Sequence, residues 1–131
     1  KEILSIKHKS PLSTIYIGGG TPSILNPLQI KDLINLFKES YKIDYGAEIT
    51  MEVDPASFNE ADLYGFIKAG INRFSLGIQS FNNQVLEQAG RRHCSKDAEK
   101  ACFWLKRAYD HGFIKSWSMD LIQNLPRSGF K

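Results

Sequence analysis

The chain has 131 residues, 42% of them hydrophobic and 24% charged, which suits one globular unit and excludes a disordered chain. Its 17 Lys plus Arg against 14 Asp plus Glu leave a formal charge of +3, spread along the sequence and too small to point to nucleic acid. No run reaches the roughly 20 apolar residues of a membrane span, and two cysteines, Cys94 and Cys102, exclude a secreted disulfide framework.

The opening Lys1-Glu2-Ile3 is neither an initiator methionine nor the start of a secretory signal, so an internal start within a longer protein is expected. The default location is intracellular and cytoplasmic, or an organelle reached through a transit peptide carried elsewhere. Residues 2–8 read as the close of a helix and Ser10-Pro11 as a turn. Thr14 to Ile17 is the first predicted strand, and it stops in Gly18-Gly19-Gly20. A helix follows from about Pro27 to Tyr41, with Ile30, Leu33, Ile34, Phe37 and Tyr41 at helical spacing behind an Asn26 cap and a first-turn proline. Ala47 to Asp54 then reads as a strand and Asn59 to Ala69 as a helix, capped by Asn59 with Asp62 three residues on and ended by Gly70.

The same alternation continues through a strand over Arg73 to Gln79, a short helix over Asn82 to Ala89 ended by Gly90, and a longer helix over Ser95 to Tyr109. In that longer helix Ala98, Ala101, Cys102, Leu105 and Tyr109 are expected inward. A last strand spans Ser116 to Ile122. Strands separated by connections long enough for helices call for parallel pairing and an α/β fold.

Each strand has one greasy and one small or polar face. Ile15 and Ile17 oppose Tyr16 and Gly18, and Ile49, Met51 and Val53 oppose Thr50, Glu52 and Asp54. Phe74, Leu76 and Ile78 oppose Ser75, Gly77 and Gln79, while Trp117, Met119 and Leu121 oppose Ser116, Ser118 and Asp120. Parallel strands covered on both sides read instead as continuous apolar runs, and a closed dry barrel fills its centre with branched aliphatics. The greasy faces are therefore expected to pack on helices. The polar faces would line a hydrated or ligand-filled interior, because an unpaired buried polar group costs about 1–3 kcal/mol. The reading is a wide or partly open barrel, with an open doubly wound sheet as the alternative.

The distinctive residues gather where strands end, which is where parallel α/β folds place their chemistry. Gly18-Gly19-Gly20-Thr21-Pro22 lets a backbone approach a ligand closely, or is only a tight turn. Glu52 suits an ammonium or a sugar diol, whereas Asp54, beside Pro55, reads as a structural acceptor for neighbouring loops. Gln79 can donate to and accept from hydroxyls. Arg91 can grip a carboxylate through two parallel bonds or be a solvated surface charge. His93 has no placed partner, and Asp120, read as buried, needs one. Together these residues describe a polar ligand with a carboxylate, an amine and a diol. They supply neither an obvious nucleophile nor an acid–base pair, and no catalytic or metal-binding residue is assigned.

The ordered series Gly18-Gly19-Gly20-Thr21-Pro22-Ser23, Glu52-Val53-Asp54-Pro55, Gly70 to Asn82, Gly90-Arg91-Arg92-His93, Asp120-Leu121-Ile122 and Leu125-Pro126 resembles the oxygen-independent coproporphyrinogen III oxidase family of radical S-adenosylmethionine (SAM) proteins. It is similar above all to the branch regarded as haem chaperones. The resemblance implies a partial TIM-type (β/α) barrel, with residues 1–131 an internal piece of the core domain holding about strands two to five. It implies that Gly19, Gly20 and Thr21 bind the methionyl end of SAM, that Glu52 and Arg91 hold its amine and carboxylate, that Gln79 and Asp120 reach the ribose, and that Ile122 packs on the adenosyl group. It also implies a 4Fe-4S cluster in the parent protein, held by a CxxxCxxC motif that this chain lacks. Cys94 and Cys102 do not reproduce three such thiolates, and Gln123-Asn124 departs from the family's usual aromatic or small residue followed by glycine. The implied biology is haem binding and transfer to an acceptor protein. The alternative is oxidative decarboxylation of two propionates of coproporphyrinogen III, giving protoporphyrinogen IX, with electrons from a donor.

Overall fold

A computed structural model describes residues 10–123 and 125 of the chain. The helical end expected over residues 2–8 and the turn at Pro126 lie outside the described residues. In chain order come β1 (Leu12–Ile17), a short 3-10 turn (Pro22–Ile24), α1 (Pro27–Ser40), β2 (Ile43–Val53), α2 (Glu60–Ala69), β3 (Arg73–Gln79), α3 (Asn83–Gln88), α4 (Ser95–Asp110) and β4 (Ser116–Leu121).

The helices start where their caps dictate. Asn26 accepts from the Gln29 backbone at 3.0 Å while the Gln29 side chain accepts from the Asn26 backbone at 2.9 Å. Asn59 and Asp62 exchange the same pair of bonds at 3.0 Å each. Two donors that a free helix end leaves unpaired are thereby satisfied at each start.

The four strands lie in the order β1-β2-β3-β4, and each neighbouring pair is parallel. A doubly wound sheet reverses its strand order and carries helices on both faces, whereas here the order rises steadily. The core is one cluster in which Ile15, Ile49, Met51, Phe74, Leu76 and Ile78 meet Ile30, Ile34, Leu63, Phe66, Ala101 and Leu105 of the three long helices. Helices cover the greasy face, and the molecule is a section of (β/α) barrel wall whose polar face is turned away from them. Asn72, just before β3, clamps the amino ends together: its amide donates to Ala47 O at 2.9 Å and accepts from Ile49 N at 2.8 Å.

Three local expectations fail. β2 begins at Ile43, because Leu12 pairs with Ile43 and Thr14 with Glu48, leaving residues 44–47 to bulge out opposite Ser13. Tyr109 is exposed, since Ala108 takes the inward position in the last turn of α4. On β4 only Trp117 packs against the core, while Met119 and Leu121 are exposed. β4 is an edge strand whose second half no described helix covers.

Gly65 allows α2 to sit on Pro27 at the start of α1. A methyl group there would lie 2.5 Å from the proline ring, which cannot swing aside. Gly65→Ala is expected to cost about 1–3 kcal/mol by overpacking, more than the modest helix-propensity gain of alanine offsets. Thermal denaturation of the variant checks this.

Candidate functional site

The carboxyl ends of the strands meet in a cleft of about 200 Å³ lined by Gly20, Thr21, Pro22, Glu52, Val53, Asp54, Ser75, Gly77, Gln79, Arg91 and Asp120. A second, wider cleft of about 530 Å³ adjoins it, sharing Thr21, Asp54 and Arg91 and adding Ile24, Arg92 and the Ala56-Ser57 loop. Six of the eight residues anticipated from sequence line the smaller cleft. Gly19 and Ile122 do not, although each is tied to a residue that does.

The glycine edge owes its shape to Glu52. Tyr16, two residues before the run on the polar face of β1, donates its hydroxyl to Glu52 Oε1 at 2.7 Å, and Gly19 N donates to Oε2 at 3.1 Å. Gly18 has to lack a side chain, since a Cβ there would come within 2.7 Å of the Tyr16 ring and 3.0 Å of the Glu52 carboxyl. Gly19 and Gly20 have φ of +84° and +56°, and nothing stands where their side chains would be. The run is thus both a left-handed turn and an open backbone edge. The hydrogen bond to Glu52, then burial and the nearby carboxylate charges, raise the Tyr16 phenol above its ordinary pKa, so it remains a donor at neutral pH.

Ser23 locks the far side of this loop. It is 2% exposed, accepts from Asp54 N at 3.0 Å and meets the Ser57 hydroxyl. Sequence reading assigned no role to Ser23 or Tyr16. The only available signal was the position of Tyr16 on the polar side of a strand that runs into glycines.

Asp54 is structural in the way expected, with Oδ1 accepting from Ala56 N at 3.0 Å. It also receives Arg91: Nη2 donates to Asp54 Oδ2 at 2.5 Å and lies 3.4 Å from Gly77 O. This pair bridges residues 37 positions apart. Arg91 is therefore fixed in place rather than a solvated surface charge, and its Nε is buried without a partner.

Gln79 has φ of +62° and sits at an irregularity where pairing passes from Gly77↔Asp120 to Gln79↔Leu121. Its side chain folds over Gly77, where a Cβ would meet Nε2 at 3.0 Å, and Gln79 Oε1 is buried without a partner. Asp120 accepts from Ser75 Oγ at 2.9 Å. It was expected to be buried and is exposed, because the polar face of edge strand β4 lies open. Ile122 is half exposed, and its backbone N–H donates to Gln79 O at 3.0 Å.

The loop carrying Arg91 is anchored by the start of α4, where Cys94 N donates to Asp97 Oδ2 at 2.9 Å. That backbone bond, then one from the Cys94 side chain, hold the Asp97 carboxyl below its usual pKa. A lowered folded-state pKa stabilises the fold above the unfolded-state value, and the contribution is lost as pH falls through the folded value. Asp97→Ala is expected to cost only about 0.2–1 kcal/mol at neutral pH, because solvent screens this carboxylate, and to flatten the acid limb of a stability–pH curve.

A family model described as the radical SAM superfamily matches residues 1–122. A heme chaperone HemW of Synechocystis is 37% identical over 127 residues, covering 96% of this chain and 30% of its own length. An oxygen-independent coproporphyrinogen III oxidase of Salmonella typhimurium is 39% identical over 129 residues, 93% of this chain and 27% of that protein. The solved coproporphyrinogen III oxidase HemN of Escherichia coli, described as a radical SAM enzyme, superposes with a TM-score of 0.78 at 37% identity, over 88% of this chain and 26% of its own. An archaeal Elp3 at 21% identity, with a TM-score of 0.65, shares the fold. The chain spans under a third of the length of these curated relatives. With four consecutive parallel strands, polar groups converging at their carboxyl ends and a family match over nearly the whole length, the chain belongs to the radical SAM superfamily.

Proposed function

We propose that residues 1–131 are an internal part of a radical SAM core, about strands two to five of its barrel, and that the smaller cleft is the SAM site of a protein that binds haem and passes it on. The observation that carries the SAM assignment is a pair of orphaned buried atoms at one cleft. Gln79 Oε1 and Arg91 Nε lack partners, and each such group costs about 1–3 kcal/mol unless a ligand satisfies it. SAM has the matching groups, a ribose diol and an amino-acid end.

Glu52, oriented by Tyr16 and Gly19, would take the ammonium, with the open edge of Gly19, Gly20 and Thr21 beside it. Arg91, fixed by Asp54, would donate to the carboxylate. Gln79 and Asp120 would bind the ribose hydroxyls, and Ile122 would offer apolar surface to the adenine. When bound with a cluster, SAM supplies radical chemistry. This chain's own residues bind and orient it.

The 4Fe-4S cluster implied by the family does not fit the residues of this chain. Of its two cysteines, Cys94 precedes the first turn of α4 and Cys102 lies within that helix, and among the described residues no group of three or more His, Cys, Asp or Glu suits a metal ion. No step is assigned to the cluster.

Haem transfer is favoured over oxidase chemistry by the Gly90-Arg91-Arg92-His93 pattern and by chaperone-named relatives such as that of Synechocystis. The oxidase reading retains the support of the Salmonella relative. The partners in the first reading are haem and an acceptor protein. In the second they are a porphyrinogen and an electron donor. Anaerobically reconstituted full-length protein is expected to bind haem and transfer it to an apo-haemoprotein while leaving coproporphyrinogen III intact. Decarboxylation of coproporphyrinogen III without haem transfer would instead establish the oxidase.

A further inference from the structure

Among the described residues, His93 is the only buried side chain of an ionisable type; its ring is fully enclosed. No step of SAM binding uses it. Its Nε2 lies 2.9 Å from Ile78 O, and because a carbonyl only accepts, Nε2 carries the hydrogen and donates. The other nitrogen, Nδ1, faces Asp54 Oδ2 at 3.6 Å and makes no hydrogen bond. The ring thus stands between two elements of the cleft. On one side is the last regular residue of β3, next to the left-handed Gln79. On the other is the carboxylate that holds Arg91.

We propose that His93 is a positioning residue for the carboxylate grip: by backing Asp54 and pinning the end of β3, it keeps the Arg91 guanidinium aimed into the cleft. The inference rests on the SAM-site reading. The Asp54 carboxylate makes one bond to the Ala56 backbone and one to Arg91, and the buried ring lies against it with Nδ1 3.6 Å from Oδ2. An aliphatic side chain at position 93 would leave Ile78 O without its donor and set an apolar group against the Asp54 carboxylate, disfavouring its present position beside Arg91. Arg91 would then spend more time off target, and only ligands that need it would suffer.

The test compares two nucleosides on the full-length protein: SAM, and 5′-methylthioadenosine, which shares the adenosine and sulfur but lacks the amino-acid end. His93→Leu is expected to weaken SAM roughly tenfold while changing methylthioadenosine less than about twofold, the scale of coupling through a contacting residue. His93→Gln, whose amide nitrogen reaches the position of Nε2, is expected to restore most of the preference for SAM. Equal loss of both ligands would reveal a purely structural histidine and overturn the proposal, as would unchanged SAM affinity. Arg91→Ala separates the two layers of the argument. If it leaves the ratio of the two affinities unchanged, the SAM-site reading of Arg91 fails and the proposal falls with it. If it removes the preference and His93→Leu does not, the proposal alone fails. Should His93→Leu not fold, Asp54→Asn replaces it, and an unchanged ratio in that variant also overturns the proposal.

Discussion

Phe74→Ala is expected to destabilise the protein by about 3–5 kcal/mol, the usual cost of emptying a phenylalanine site in a close-packed interior. Phe74 lies in β3, paired with β2 on one side and β4 on the other, and it is completely buried. Phe66 of α2 and Leu105 of α4 belong to the same cluster. Helices are covalently tethered and β3 is hydrogen-bonded on both edges, so the hole cannot close without breaking the sheet. A domain stable by about 5–15 kcal/mol keeps little margin after such a loss. Urea denaturation of the full-length protein, followed by tryptophan fluorescence from Trp104 and Trp117, measures it. A shift under about 1 kcal/mol would place Phe74 outside the core.

Arg91→Ala has the second large effect, and it acts on two quantities. The Arg91 and Asp54 side chains are 31% and 19% exposed, so removing the guanidinium leaves a partly desolvated carboxylate without its cation. That costs about 1–3 kcal/mol of stability, less than a fully buried pair would. Binding loses a charge-assisted contact to the ligand carboxylate, about 2–3 kcal/mol, or roughly 30–150-fold in SAM affinity. Arg91→Lys is not expected to rescue it, because an ammonium cannot span Asp54, Gly77 O and a ligand as a planar fork does. Equilibrium binding of labelled SAM to the two variants decides this, and wild-type affinity in Arg91→Ala would remove Arg91 from the site.

The sheet was legible because its period is written twice in each strand, once in Ile49-Met51-Val53 and once in Thr50-Glu52-Asp54. Aliphatic faces such as Ile49-Met51-Val53 are driven under the helices, and a face carrying Glu52 and Gln79 cannot be sealed under one. The helix starts were legible for a local reason: Asn26 and Asn59 cap backbone groups within three residues of themselves. The long bulge at residues 44–47 left no such trace. Asp44-Tyr45-Gly46 lacks strand alternation, and only the pairing of Ile43 with Leu12 and of Glu48 with Thr14 on either side brings it inside a strand. Tyr109 misled because helical spacing defines a stripe but not its edge, and Ala108 lies closer to its centre.

At the site, residue types were readable and partners were not. Glu52, Gln79 and Arg91 declared themselves by charge or polarity at strand ends. That Asp54 would hold Arg91, or that His93 would stand behind both, depends on contacts across 37 and 39 positions of chain. No local pattern encodes such contacts. Asp120 was read as buried on the polar face of its strand, yet the edge of a sheet leaves the same residue open.

A crystal structure of the full-length protein grown with SAM decides whether the small cleft is the SAM site. Ribose hydroxyls are expected within about 3.2 Å of Gln79 or Asp120 and the ligand carboxylate on Arg91, inside the small cleft beside Gly20. SAM bound against the helical face, or with Glu52, Gln79 and Arg91 all out of contact, would contradict it.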